Sequence, residues 1–343
     1  MGEERGGAQD FGEGRRASAV GLAKDGQPLG VSLQEVQSEP RGGRDPFRFD
    51  PMYYTFASRR TPVYARRGMV ATSQPLAAQA GLTVLQQGGN AVDAAIAAAT
   101  TLTVVEPTSN GIGSDAFAIV WSAREQRLFG LNASGPAPAT LDADQLLRQG
   151  LDSVPVHGWL PVTVPGAPAA WAALAQRFGR LPLTTSMAPA ISYAEEGYPL
   201  SPTLAFFWER AFRSYSAHLT GPVFEPLFAT FAPGGRPPRC GEVWSSPAHA
   251  RSLQLIAESG ATAFYRGELA ERIDAFSRAH GGFLRQADLE AFTPAWVTPI
   301  HVSYRGCEVW ELPPNGQGLV ALMALNILNR WQQETGAAAD QSA

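Results

Sequence analysis

Three short runs in the 343-residue sequence have residue types that could do chemistry. Thr184-Thr185-Ser186 places three hydroxyls in a row, and Glu195-Glu196 supplies two adjacent carboxylates. Gly111-Ile112-Gly113-Ser114-Asp115-Ala116 fits the dinucleotide pattern GxGxxG/A on paper. A hydroxyl nucleophile needs a base within hydrogen-bond reach, and no neighbour in the sequence provides one. The hydroxyls follow Leu181-Pro182-Leu183 at a helix start, where helix capping is the plainer role. The two glutamates fall at the end of the same helix and read as solvated. A dinucleotide loop must follow a strand and open a helix. Here the glycines follow a helix and open a strand-like run, so they read as a tight turn in which glycine supplies positive φ or close approach. That turn is a candidate to line a site.

The remaining reactive residue types exclude more than they offer. The only lysine is Lys24, so a Walker A lysine, a Schiff-base lysine and a kinase-type lysine are all missing. Cys240 and Cys307 cannot make a thiolate zinc site or a disulfide framework, which fits a reducing compartment. His157, His218, His249, His280 and His301 never fall at a metal-ligand spacing such as HExxH. They read as solvated or core-edge histidines. No GxSxG elbow occurs. The residues therefore imply no metal and no cofactor. A net charge of −4 leaves no basic field to hold a phosphate backbone, so nucleic acid is not an expected partner.

These residues need elements to position them. The length fits one large or two ordinary domains. The 35 glycines and 27 prolines imply many shaped loops. Residues 1–46 mix Gly, Arg, Glu, Gln and Ser with few large apolar residues, the composition of a disordered head or of a start assigned too early. Helices are expected over Pro75 to Gln87, with Ser73 as N-cap, and over Ala91 to about Thr103, capped by Asn90 with Asp93 at capping-box spacing. The second is alanine-rich on every side and should be buried all round. Ala116 to Trp121 and Arg127 to Leu131 read as a hairpin. Helical spacing then dominates: a helix bearing Trp171, Leu174 and Phe178, then Leu183 to Glu196, Ser201 to Phe212, Pro247 to Ser259 and Gly267 to Arg278. Ile300 to Tyr304 and Glu308 to Leu312 read as strands, followed by a helix from Gln317 to Trp331. A core region 47–331 and a flexible tail 332–343 complete the division, and the fold class is α+β. Ala91 to Val105 is too short and too interrupted by Asp93 and threonines to span a bilayer, so no membrane contact is expected and a cytoplasmic location is the default.

Taken together, several of these segments resemble the gamma-glutamyltransferase family. They are the runs Gly68 to Ala77, Gly88 to Ala95 and Val105 to Gly113, then Val164-Pro165-Gly166-Ala167, Arg177 to Pro182, Ala188 to Ile191, Phe264 to Glu268 and Tyr304-Arg305-Gly306. They occur in the family's order between about residues 51 and 329. The resemblance implies an N-terminal-nucleophile hydrolase with a four-layer αββα sandwich. Family precursors cut themselves before a threonine. The freed hydroxyl attacks a γ-glutamyl amide, with its own α-amine as base, and the acyl group passes to water or to an amino acid. An amine with a pKa near ~8 suits that work at neutral pH.

Two departures from the family pattern stand out. The family's threonine lies in its small subunit, beyond the stretch resembling Pro313-Pro314-Asn315-Gly316-Gln317-Gly318 and the helix after it. No Thr-Thr-His or Thr-Ser-His occurs in these residues, so the resemblance implies the large-subunit portion of an incomplete sandwich with no catalytic residue of its own. The second departure concerns the arginine with which the family holds the substrate α-carboxylate, just upstream of an Ala-Pro pair. Aligning on Ala137-Pro138 puts Ser134 at that position, inside Asn132-Ala133-Ser134-Gly135-Pro136. A serine cannot supply the charged clamp, and this variant resembles the acylase-like branch. Ser134 and Asn132 are the candidate substrate-binding residues, with a tight polar turn as the alternative. The expected substrate is a γ-glutamyl or related acyl amide and the expected partner a separate small-subunit chain. A non-enzymatic remnant of a truncated gene is the alternative. Either way, apolar faces meant for the missing portion should be exposed, leaving the isolated chain prone to associate.

Overall fold

A computed structural model describes residues 63–148 and 150–335. The expected head at 1–46, the boundary at residue 47 and the last eight residues of the expected tail lie outside the described residues. In chain order the elements are α1 (Pro75–Gln86), α2 (Ala91–Val105), β1 (Ala116–Ser122), β2 (Arg127–Ala133), α3 (Ala143–Arg148), α4 (Ala167–Phe178), α5 (Leu183–Glu196), β3 (Tyr198–Pro199) and α6 (Pro202–His218). They continue with α7 (Glu225–Phe231), β4 (Val243–Trp244), α8 (Pro247–Ser259), α9 (Thr262–Tyr265), α10 (Glu268–Ala279), α11 (Gln286–Ala291), β5 (Ala295–Val297), β6 (Ile300–Tyr304), β7 (Cys307–Glu311) and α12 (Gly318–Thr335).

The core is built around α2. Its alanines and threonines are small enough to let neighbouring helices approach from every side, and twelve of its fifteen residues are buried. It packs against α1, α4 and α5, while α5 packs in turn on α8. Met187 and Ala190 of α5 and Leu253 and Ile256 of α8 are fully enclosed there. The expected capping box is present: Asn90 Oδ1 accepts from the backbone N–H groups of Val92 and Asp93, and Asp93 accepts from Asn90 N. The expected cap of α1 is corrected. Gln74, not Ser73, is the N-cap, its side chain accepting from Leu76 N and Ala77 N. Ser73 instead donates to Glu106 at 2.6 Å.

The expected hairpin forms, but it is part of a larger antiparallel sheet, ordered β1-β2-β5, which β5 joins across more than 160 residues of chain. Sequence patterning missed β5, β3 and β4 because three- and two-residue strands carry no measurable alternation. One face of the β1-β2-β5 sheet is covered: Ala116, Ala118 and Val120 pack on the helical core. Along a strand successive side chains alternate between faces, so Phe117, Ile119 and Trp121 lie on the other face, where 40–51% of each remains accessible. A separate β6-β7 hairpin carries α12. Here α12 continues to Thr335, past the expected end at Trp331. The described chain is thus α+β, with a helical layer on one face of its main sheet and the opposite face open.

Candidate functional site

Asn132 is on the open face. It lies opposite Phe117 on β1 and Ala295 on β5, whereas its neighbours Leu131 and Ala133 are fully buried beneath. Immediately after β2 the chain crosses the segment Val164-Pro165-Gly166. This crossing needs glycine, since a Cβ on Gly135 would sit 1.6 Å from the Val164 carbonyl oxygen. The same crossing is bonded by Val164 N to Pro136 O, and Ser114 O accepts from both Gly166 N and Ala167 N. The Gly111–Asp115 turn therefore packs against residues 132–136 and 164–167. Asp115 Oδ1 accepts from Gly135 N at 3.2 Å.

A fourth segment comes from far along the chain. Residues 312–318 pass over the open face at Gly130, where a Cβ would lie 2.6 Å from Leu312 Cδ2. That close approach brings Asn315 to β2. Asn132 Nδ2 donates to Asn315 Oδ1 at 2.8 Å, and Asn315 Nδ2 donates to Ser134 Oγ at 2.7 Å. Ser134 N donates to Asn132 Oδ1 at 2.9 Å, which closes a ring of three residues. Asn132 and Ser134 are partly buried, and Asn315 is exposed. Among the described residues, no arginine forms a hydrogen bond or ion pair with any of the three.

The two sequence candidates, Asn132 and Ser134, are brought together in this ring. Asn315 is the member that sequence reasoning missed, while Asp115 belongs to the glycine turn already offered as site-lining and bonds Gly135 rather than the ring. Asn315 stood within Pro313-Pro314-Asn315-Gly316-Gln317-Gly318, yet nothing local indicates that it meets residues more than 180 positions earlier. The glycine turn departs from expectation. Neither Gly111 nor Gly113 has positive φ, and a Cβ on Gly113 would meet nothing within 4 Å. The turn is held instead by Ser114, whose N and Oγ both donate to Gly111 O.

The other candidates do not assemble. Thr184, Thr185 and Ser186 lie inside the first turn of α5, whose N-cap is Pro182 with no side-chain capping bond, so the expected capping role is corrected. Ser186 is fully buried and its hydroxyl has no partner among the described residues. Glu195 and Glu196 are exposed, as expected, with Glu196 accepting from Ser192. His249 lies between α8 and α2, its Nε2 3.5 Å from Thr103 Oγ1, and desolvation lowers its pKa to about 4. Such a ring is neutral at pH 7. His301 and Ser303 both contact Glu308 on the exposed β6-β7 hairpin, so a carboxylate separates imidazole from hydroxyl and no base faces a nucleophile. No group of three or more His, Cys, Asp or Glu that could hold a metal occurs among the described residues.

The described residues form an α+β fold of the N-terminal-nucleophile hydrolase type shared with the solved structures below, with a helical layer on one face of an antiparallel sheet and a polar cluster on the other face at the end of its central strand. The family model for gamma-glutamyltranspeptidase matches residues 77–342, and the chain belongs to that family. It is 34% identical over 275 residues to the glutathione hydrolase-like YwrD proenzyme of Bacillus subtilis (strain 168), covering 78% of this chain and 50% of that protein. It is 36% identical over 288 residues to the acylase ACY 1 proenzyme of Pseudomonas sp. (strain V22), covering 81% and 50% respectively. Among solved structures it aligns with cephalosporin acylase from Bacillus halodurans at a TM-score of 0.78 and 59% identity, covering 82% of this chain and 52% of that chain. It aligns with Helicobacter pylori gamma-glutamyltranspeptidase at a TM-score of 0.74 and 28% identity, covering 82% and 80%. The chain spans about half the length of the curated relatives it matches.

Proposed function

We propose that this chain is the noncatalytic, substrate-holding part of a gamma-glutamyltransferase-like amidohydrolase. The nucleophilic threonine would be supplied by polypeptide outside these 343 residues, whether continuous with them or separate. The observation that carries the reading is the placement of Asn132, Ser134 and Asn315 on the uncovered face of the β1-β2-β5 sheet. A substrate held there would be enclosed by whatever covers Phe117, Ile119 and Trp121. In this reading the ring binds the acyl portion of an amide, and the incoming threonine performs the acyl transfer. The substrates are small γ-glutamyl or related acyl amides, and nucleic acid is not a partner. A cytoplasmic location is supported by Cys240 and Cys307, which are both exposed and unpaired. No described helix is long and apolar enough to cross a membrane.

The experiment is reconstitution. Homogeneous chain alone should not hydrolyse γ-glutamyl or acyl anilides, and co-expression with a threonine-initiated small-subunit polypeptide of the family should confer hydrolysis. Turnover by the chain alone, or failure of the two polypeptides to co-purify, would reject the reading.

A further inference from the structure

Asn315 is followed by Gly316, and an Asn-Gly pair carries a reaction of its own. The backbone nitrogen of the glycine can attack the amide carbon of the asparagine, because no side chain on the second residue stands in the way. Both residues are exposed, a Cβ on Gly316 would meet nothing within 4 Å, and Gly316 N–H donates to no protein acceptor among the described residues. The attacking atom is therefore free. The ring supplies the other requirements, and a backbone group sets its direction. Ser134 N–H can only donate, so the atom of Asn132 that faces it at 2.9 Å is the amide oxygen. The NH₂ end of Asn132 then donates to Asn315 Oδ1 at 2.8 Å, the atom on which negative charge develops when that carbonyl is attacked. Ser134 Oγ lies 2.7 Å from Asn315 Nδ2, the departing nitrogen, and its own O–H can turn to protonate that nitrogen once it becomes an amine. The chain's other Asn-Gly pair, Asn110-Gly111, is half-buried and lacks these partners. Asn110 Nδ2 donates to Glu106 Oε2 at 3.1 Å, which sets a carboxylate beside the amide, and no donor bonds to Asn110 Oδ1 among the described residues.

We propose that Asn315 is a self-modification site, at which the ring promotes deamidation of its own member. Gly316 N loses its proton to solvent and bonds to Asn315 Cγ. The Cγ–Nδ2 bond breaks, the departing nitrogen takes a proton from Ser134 O–H, which solvent restores, and ammonia leaves behind a cyclic imide. Water then opens the imide. Opening at Cγ yields aspartate, and opening at the main-chain carbonyl yields isoaspartate, whose backbone runs through the former side chain and is one methylene longer. Either product removes both Asn315 N–H donors. In the aspartate product Ser134 turns its hydroxyl inward to the new carboxylate, so within the ring only Asn132 keeps an outward N–H. The reaction does not depend on what the ring binds and goes beyond the function proposed above.

The test is timed incubation of the 343-residue chain at mildly alkaline pH, with peptide mapping by mass spectrometry and enzymatic methylation of isoaspartate. Aspartate and isoaspartate should accumulate at position 315 while Asn110 stays an amide. Gly316→Val, which hinders the attack and leaves the ring's side chains in place, should stop the conversion. Asn132→Ala, which removes the donor to Asn315 Oδ1, should slow it by about tenfold or more. The thermal transition is read alongside, and Asn132→Asp, which keeps an acceptor for Ser134 N–H but loses the donor, gives the same reading should the alanine variant not fold. An unmodified Asn315, or conversion of Asn110 at an equal rate, would overturn the proposal. So would unchanged or faster conversion in the folded Asn132 variant, because the ring would then restrain Asn315 instead of activating it.

Discussion

The carboxylate of Asp93 accepts the backbone N–H of Arg180 through both of its oxygens, each at 3.1 Å. The same carboxylate accepts from Asn90 N at 2.8 Å and from Leu181 N at 3.4 Å, and it is fully buried. Asn90 contributes a second tie, donating from Nδ2 to Phe178 O. A charge can be buried here because backbone donors replace the water it loses. Two stretches that looked separate in the sequence, Gly88 to Ala95 and Arg177 to Pro182, are thus one structural unit that locks the start of α2 to the end of α4.

Removing that carboxylate takes the acceptor from the part-buried N–H groups of Asn90, Arg180 and Leu181, at about 1–3 kcal/mol for the first of them. Asp93→Ala should destabilise the chain by about 3 kcal/mol or more, and Asp93→Asn, which keeps one acceptor oxygen, by less. Urea denaturation of the two variants checks the order. Equal stability of Asp93→Ala and the unaltered chain would show that the carboxylate contributes nothing.

The crossing behind the candidate site makes a contrast between two glycines. Gly135→Ala puts a Cβ 1.6 Å from a backbone oxygen, which only backbone movement relieves. Loss of more than about 3 kcal/mol, or no folded product, is expected. Gly113→Ala meets nothing within 4 Å at ordinary φ and should change stability by no more than about 0.5 kcal/mol. Melting temperatures of the pair measure the difference.

Acid should weaken the fold through His249. Its pKa is lowered to about 4 in the folded chain by desolvation, against about 6.5 when unfolded. Between those values the unfolded chain binds the extra proton, so stability is full above pH 6.5 and falls as pH drops toward 4. The loss from this residue is at most about 3 kcal/mol. His249→Phe should flatten that part of the profile, read from denaturation midpoints between pH 7 and 4. A variant retaining the full slope would assign it to other groups.

Self-association should follow from the open sheet face. Phe117, Ile119 and Trp121 alternate along β1, which is an edge strand, and α12 exposes Val320, Met323 and Ile327. Such surfaces favour association. Sedimentation velocity of the isolated chain should show oligomers, and Ile119→Lys with Trp121→Lys should raise the monomer fraction with little change in melting temperature. A monodisperse monomer without substitution would contradict this expectation.

Much was legible in the sequence because it is local. Asn90 and Asp93 carry their capping box in four consecutive positions. The alanine-rich stretch of α2 announced burial on all sides, and alternation marked β1 and β2. The ordered motifs identified the family. Tertiary structure alone decided the rest. Which face of β2 is open follows from where α4 packs, and the union of Asn132 and Ser134 with Asn315 follows from the passage of Leu312 over Gly130. It also decided that Gln74 rather than Ser73 caps α1, since Glu106, 33 residues later, takes the serine hydroxyl. A residue's type and spacing fix what bonds it can make. The folded backbone fixes which partner is within 3 Å, and for a site assembled from segments more than 180 residues apart no local pattern encodes that distance.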